Sequence, residues 1–348
     1  MAENKRFFYG WLILLTCILI MGLGYAPLVS CASLFTKPVT EDLGFTRSGY
    51  ALVSTIAALM MAFMSPFIGK IMSKPYMHKA LVVCMIGNCL AYYCYSFAST
   101  LPQFYVTAAC IGFFECGSTM IPVSVLITNW FRKKRGLVMS IAMVGSSIGG
   151  TILSPIIGNL IASQGWRFTY KAVGITRLVI LVPLVLLVIR RTPADMGTKA
   201  YGADEEGETG KARKTEREWN VSLKEVKKKP MFWCFVLGCT LISATAAVIT
   251  QIPASVMDAG YATTTAASIA SLYLFIAIPG KLVLGHIYDR YGVKAGILFG
   301  NTMFFLSVIC LIFIKHQPFL YLMAILFGFG TCIGTVSYTH LTLPTNRE

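Results

Sequence analysis

Residues 8–35 read FYGWLILLTCILIMGLGYAPLVSCASLF, an apolar run without one charged side chain. A helix of about 20 apolar residues crosses a hydrocarbon layer roughly 30 Å thick, so this run is long enough to span a bilayer. Lys5 and Arg6 precede it, as in a signal peptide. The run is too long for a signal-peptide core and no small-residue cleavage site stops it, so it reads as a first span that stays attached. The pattern repeats along the chain. Ten spans are expected: 8–35, 48–70, 79–99, 103–130, 136–162, 167–189, 231–256, 265–286, 294–314 and 318–336. The composition agrees, with 348 residues, 56% hydrophobic and only 13% charged, and a mean hydropathy of +0.68. A soluble chain carries about one quarter charged residues. A soluble enzyme, a disordered chain and a coiled coil are thereby excluded.

The excess of 30 Lys and Arg over 15 Asp and Glu could be taken for a nucleic-acid footprint. Its distribution says otherwise. With the N-terminus inside, inside segments hold 22 Lys and Arg and outside segments hold five: Lys37, Arg47, Arg167, Lys171 and Lys315. The positive-inside rule therefore predicts a cytoplasmic N-terminus, and no nucleic acid or nucleotide partner is expected. The 11 cysteines are odd in number and all lie in apolar spans, so they read as small buried hydrophobes rather than a disulfide framework. One long hydrophilic segment, about 190–229, separates the sixth and seventh spans. It has the composition of a solvated linker. Six spans, a linker and a second set of spans point to a duplication.

The loop after the eighth span reads Gly285-His286-Ile287-Tyr288-Asp289-Arg290-Tyr291-Gly292. Its Gly285-x-x-x-Asp289-Arg290-x-Gly292 pattern resembles the cytoplasmic loop signature of the major facilitator superfamily. Trp130-Phe131-Arg132-Lys133-Lys134-Arg135-Gly136, Gly165-Trp166-Arg167 and Arg191-Thr192-Pro193-Ala194-Asp195-Met196-Gly197 add to it. Together they look like the branch of oxalate–formate antiporters and monocarboxylate transporters. The resemblance implies an all-α polytopic membrane protein with the major facilitator fold, here ten of an expected twelve transmembrane helices. It also implies that Gly285, Asp289, Arg290 and Gly292 form a conformational latch. The expected organisation is an N-terminal six-helix half at 1–190, a cytoplasmic linker at 191–229 and a partial C-terminal half of four helices at 230–336. Residues 337–348 fit nothing before them, and Pro344 and the Thr run do not continue a span. They look like a translated sequencing-adapter tail, and the chain reads as C-terminally truncated.

Three ionisable residues fall inside spans: Glu115, Arg177 and Lys281. Each costs at least about 2.5–3.5 kcal/mol at the bilayer centre, so each is a functional candidate by default. Lys281 lies four residues before Gly285. The resemblance places a basic residue here, usually Arg, that holds a substrate carboxylate; the bland alternative is a Lys snorkelling to the cytoplasmic interface. Glu115 lies near the middle of the fourth span, which lines the cavity in the resembling family. It is read as a substrate or proton-exchanging carboxylate, or else a protonated Glu bonded between helices. Arg177 is read as snorkelling toward the outer headgroups. Tyr25, Ser30, Ser118 and Thr119, with Thr240, Ser243, Thr245, Thr250 and Gln251 in the seventh span, are polar candidates for the pathway. A span Ser or Thr more often bonds its own helix. Gly145, Gly149, Gly150 and Gly158 in the fifth span read as a close-packing surface, a pattern that marks antiporters in the resembling family.

No HExxH, nucleophile elbow, P-loop or CxxC pair is present, so no enzyme activity, metal or other cofactor is expected. The expected function is secondary active transport of a small organic anion such as oxalate, formate, lactate or pyruvate across the inner membrane. It would run by alternating access, in exchange or coupled to protons. The rival readings are a proton-coupled drug or cation exporter working through Glu115, and a membrane sensor that binds without transporting.

Overall fold

A computed structural model describes residues 8–72, 74–132, 135–198, 200–202, 230, 232–233, 237 and 251–331. The described residues are helical almost throughout, in a bundle of α-helices with no strand. The helices are α1 (Gly10–Leu43), α2 (Arg47–Met72), α3 (Met77–Phe97) and α4 (Leu101–Trp130). One continuous run, Arg135–Val188, bends at Gly165 into α5 (135–164) and α6 (166–188). The short α7 is Ile252–Asp258. A second run, Thr263–Ile312, bends at Gly292 into α8 (263–291) and α9 (293–312), and α10 is Gln317–Gly330.

Seven helices among the described residues are long and apolar enough to cross a membrane, against ten expected spans. The fifth and sixth spans join in one run, α10 has only 14 residues, and the seventh span lies mostly outside the described residues. The first span also runs further than its apolar stretch. It continues through the polar turn Thr36–Leu43 and ends at Gly44 in the left-handed region.

Both bends turn on one glycine. Gly165 has φ 80, ψ 167 and Gly292 has φ 83, ψ 171, a region open essentially to Gly alone. The last residue of the 285–292 signature is therefore required by the backbone. A Cβ at Gly292 would meet nothing within 4 Å, so Gly292→Ala isolates the dihedral cost. It is expected to destabilise the protein by about 1–3 kcal/mol, read as a lowered midpoint of thermal unfolding. An unchanged midpoint would refute the strain. Gly285, Asp289 and Arg290 lie in α8. Of Gly285 and Asp289 only the helical backbone is described, and Arg290 is exposed.

The beginning of the expected linker is built rather than solvated. Thr192 and Asp195 cap a short 3-10 turn, Pro193–Met196, and Gly197 ends it at φ 63. The chain then returns beneath α4, where the Tyr201 N–H donates to the Trp130 carbonyl at 3.0 Å. The indole N–H of Trp130 donates to the Arg190 carbonyl at 2.9 Å. This explains four residues of the Arg191–Gly197 motif: Thr192, Pro193, Asp195 and Gly197 are types that a capped turn favours. The expectation of uniformly buried cysteines needs correction, because Cys94 and Cys110 are exposed on the bundle surface. Cys234, Cys239 and Cys332 lie outside the described residues.

Candidate functional site

Two ends of the bundle can be distinguished by their contacts. At one, Trp166 donates its indole N–H to Asp42 at 3.0 Å, and Arg47 of α2 pairs with Asp258 of α7. The Lys37 ammonium also reaches the Met257 carbonyl there, at 3.0 Å. These bonds tie α1 to α6 and α7, and α2 to α7. Arg47 and Asp258 are partly exposed, so their pair contributes only about 0–1 kcal/mol. It positions more than it stabilises. The opposite end carries Trp130 and the capped turn after α6.

A cavity of about 430 Å³ runs inward from the Arg47–Asp258 pair and ends on Glu115. Its walls come from α1, α2, α3, α4, α6 and α7. Five tyrosines line it: Tyr25, Tyr50, Tyr92, Tyr95 and Tyr170. The rings of Tyr50, Tyr92, Tyr95 and Tyr170 pack against one another and against Phe35 and Phe104. Ser33, Ser54, Gln251 and Ser255 add hydrogen-bonding groups. Thr240, Ser243, Thr245 and Thr250 lie outside the described residues.

Tyr25 and Glu115 are thus brought to one cavity. Ser118 and Thr119 are not among its lining residues. Their hydroxyls donate to the Glu115 carbonyl at 3.3 and 2.9 Å. The reason is a break in α4 at Thr119, where φ is −121 and ψ −99. Lys281 lies elsewhere. Its ammonium donates to the Ser147 hydroxyl of α5 at 2.9 Å, across the contact between α5 and α8. Nearby, Ser271 of α8 donates to the Thr151 carbonyl of α5 at 2.7 Å. Helix α8 continues unbroken for ten residues past Lys281, about 15 Å of rise. The Lys281 side chain turns toward α5.

Arg177 corrects the sequence reading outright. It does not reach for headgroups; it is 1% exposed. Helix α6 begins at the Gly165 bend, so Arg177 sits twelve residues in, about 18 Å deep. That exceeds what an arginine can climb. Its Nη2 donates to the Gly24 carbonyl at 2.9 Å and to the Asn88 side-chain oxygen. Its guanidinium lies 4.9 Å from the Tyr92 ring centroid. Arg177 is also the charge whose field acts on Glu115. Asn88, fully buried in α3, was missed as well. The available signal was that α3, α4 and α6 each carry a single strongly polar residue near mid-span.

The comparisons with known proteins agree with this architecture. Human monocarboxylate transporter 2 is 23% identical over 229 residues, 65% of this chain and 45% of that one. The MFS-type transporter pytF of Aspergillus terreus is 26% identical over 209 residues, 60% of this chain and 62% of that one. The chain thus spans less than two thirds of either relative. A crystal structure of a bacterial homologue of the human lysosomal transporter Spinster superposes with a TM-score of 0.72 at 16% identity. That match covers 97% of this chain and 76% of the other, and at such identity the likeness is one of fold. The family model described as Major Facilitator Superfamily matches residues 12–346, and the chain belongs to that superfamily.

Proposed function

We propose that the protein is a secondary active transporter of a small organic anion of the monocarboxylate class. Two halves, 1–190 and 230–336, joined by the cytoplasmic linker 191–229, would move against each other. The N-terminus would lie on the cytoplasmic side of the inner membrane, as the basic residues imply. The observation that carries the reading is Lys281. A cation at the inner end of the apolar stretch of α8, directed across the α5–α8 contact onto a serine hydroxyl, supports the reading, because a carboxylate would replace that hydroxyl as acceptor. Relatives named monocarboxylate transporters support the same class. The cation-export alternative draws less support, because Arg177 already supplies Glu115 with a counter-charge and already sits against the Tyr92 ring.

The test is uptake of labelled oxalate, formate, lactate and pyruvate into proteoliposomes, with and without a protonophore. Wild type, Lys281→Arg and Lys281→Ala are compared. A charge-assisted hydrogen bond contributes about 1.5–3 kcal/mol, so Lys281→Ala is expected to lower uptake at limiting substrate by tenfold or more. Lys281→Arg retains charge and is expected to lose less. Undiminished uptake by Lys281→Ala removes the anchor, and no uptake of any acid by well-folded protein removes the carboxylate reading.

A further inference from the structure

Helix α1 leaves the α-helical pattern twice beside the cavity. Ile20–Tyr25 form a π-helical turn, and Ala32–Phe35 form a 3-10 turn. Such turns inside a long helix are common at functional positions. The second one carries Ser33. A serine in a span ordinarily donates to a carbonyl three or four residues back. Ser54 and Ser255, which also line the cavity, do so, to the Ala51 and Gln251 carbonyls. The Ser33 hydroxyl is buried and has no hydrogen-bond partner.

Two further cavity groups share that condition. The Tyr92 hydroxyl and Glu115 Oε1 are also buried without a partner, and both residues line the cavity. Tyr50 and Tyr170, by contrast, pair their hydroxyls with each other at 3.4 Å. Aromatic contacts join the turn of Ser33 to Tyr92. Phe35, two residues after Ser33, stacks on Tyr170 with ring centroids 4.0 Å apart, and Tyr170 meets Tyr92 edge-on at 5.1 Å. Buried polar groups left unpaired call for an explanation, and three on one cavity point to a ligand.

The chemistry of that ligand is restricted. A carboxylate only accepts hydrogen bonds, and here it would lie beside the acid of Glu115. A hydroxyl both donates and accepts, so it can serve Glu115 Oε1 as well as the Ser33 and Tyr92 hydroxyls. The rest of the lining suits a flat apolar body. The rings of Tyr92, Tyr95 and Tyr170 make one wall, and aromatic rings favour other rings stacked on them or set edge-on. On α2, Ala51, Ser54 and Ala58 recur along one helix face and leave a second wall without bulk. The volume of about 430 Å³ falls in the range of about 300–1,000 Å³ that holds drug-sized ligands, and an acid the size of oxalate or lactate leaves most of it empty.

We propose that this cavity binds a hydroxylated aromatic ring, the ring lying along the tyrosine wall and its hydroxyl meeting Ser33 and Tyr92. Lys281 is not among the lining residues, so ring binding stands apart from that anchor. The inference rests on the transport reading in one respect: the ring then belongs to an organic acid, and the solute class becomes hydroxyaryl carboxylates.

The test is isothermal titration calorimetry of the purified full chain in lipid nanodiscs, with the heats of empty nanodiscs subtracted. The probes are 4-hydroxyphenylacetate, phenylacetate, 4-hydroxybenzyl alcohol and lactate. Both hydroxylated rings are expected to bind, and phenylacetate to bind about fivefold more weakly than 4-hydroxyphenylacetate for want of one net hydrogen bond. Lactate, with no ring to bury, is expected to bind roughly tenfold more weakly or worse. Ser33→Ala and Tyr92→Phe, the latter keeping its ring, should each remove most of the preference for 4-hydroxyphenylacetate and leave phenylacetate unchanged. A merely structural role would weaken both ligands alike. Hydroxylated rings that bind no better than lactate overturn the proposal, as does a preference for the hydroxyl that survives both variants. The two readings fail separately. Binding of 4-hydroxybenzyl alcohol, which carries no acid, by a protein that takes up none of the acids supports the ring site and removes the carboxylate reading. Uptake of lactate without binding of any ring does the reverse.

Discussion

Arg177→Ala is expected to destabilise the helix bundle by about 3–5 kcal/mol, the cost of removing one partner from a buried charged network. Four losses combine. The Gly24 carbonyl loses its donor at 2.9 Å, and the Asn88 side-chain oxygen loses its own. The Tyr92 ring loses the cation lying 4.9 Å from its centroid. Glu115 also loses the charge that acts on it. Adding Glu115→Gln to Arg177→Ala removes the uncompensated acid and is expected to restore a large part of the loss. The two changes should be strongly non-additive, as for groups sharing one network. Denaturant unfolding in detergent for the two single variants and the double variant measures this. A single Arg177→Ala variant within about 1 kcal/mol of wild type would show that the guanidinium is not a structural element of the bundle.

The same residue shows what the sequence conceals. Long uncharged runs make the spans legible, because hydrocarbon admits few alternatives. Their ends are less so. The sixth span opens at Gly165, with Trp166 and Arg167 already inside the helix. Counting from Tyr170, the last aromatic of the outer end, puts Arg177 seven residues in; counting from Gly165 puts it five residues, about 7.5 Å, deeper. Facing was hidden for a different reason. Helices apolar on all sides give no stripe that marks the bundle interior. Neither the inward aim of Asn88 nor the gathering of five tyrosines from α1, α2, α3 and α6 can be read along the chain. Ser118 and Thr119 illustrate a third limit. A hydroxyl in a span is as well satisfied by its own helix as by a ligand, and the break at Thr119 decides for the helix. Gly292 is the opposite case. The signature required Gly there, and the φ of 83 supplies the reason.

The glycines of α5 separate two explanations that spacing alone leaves joined. Gly145 and Gly149 face α1: a Cβ on Gly149 would lie 2.2 Å from the Gly22 carbonyl oxygen, and one on Gly145 would lie 2.4 Å from that of Ile18. Gly158 faces α8, where a Cβ would meet the Ala267 Cβ at 2.4 Å. The first pair is packing inside the α1–α6 bundle, and the last belongs to the contact between α5 and α8. Gly149→Val is expected to be the most damaging substitution of this surface. Its Cβ would meet backbone, including the Gly22 Cα at 2.4 Å, so no side-chain rotation relieves the clash and the helices must separate. The expected loss is about 3 kcal/mol or more, at the upper end for overpacking. Gly69→Ala in α2 is the control, because a Cβ there meets nothing within 4 Å. Helix propensity alone predicts no loss and a gain of up to about 1 kcal/mol. Thermal unfolding of the two variants side by side decides the matter. Equal midpoints would mean that α1 and α5 are not in the close contact described, and the π-helical turn of α1 would then lose the support that holds it against Arg177.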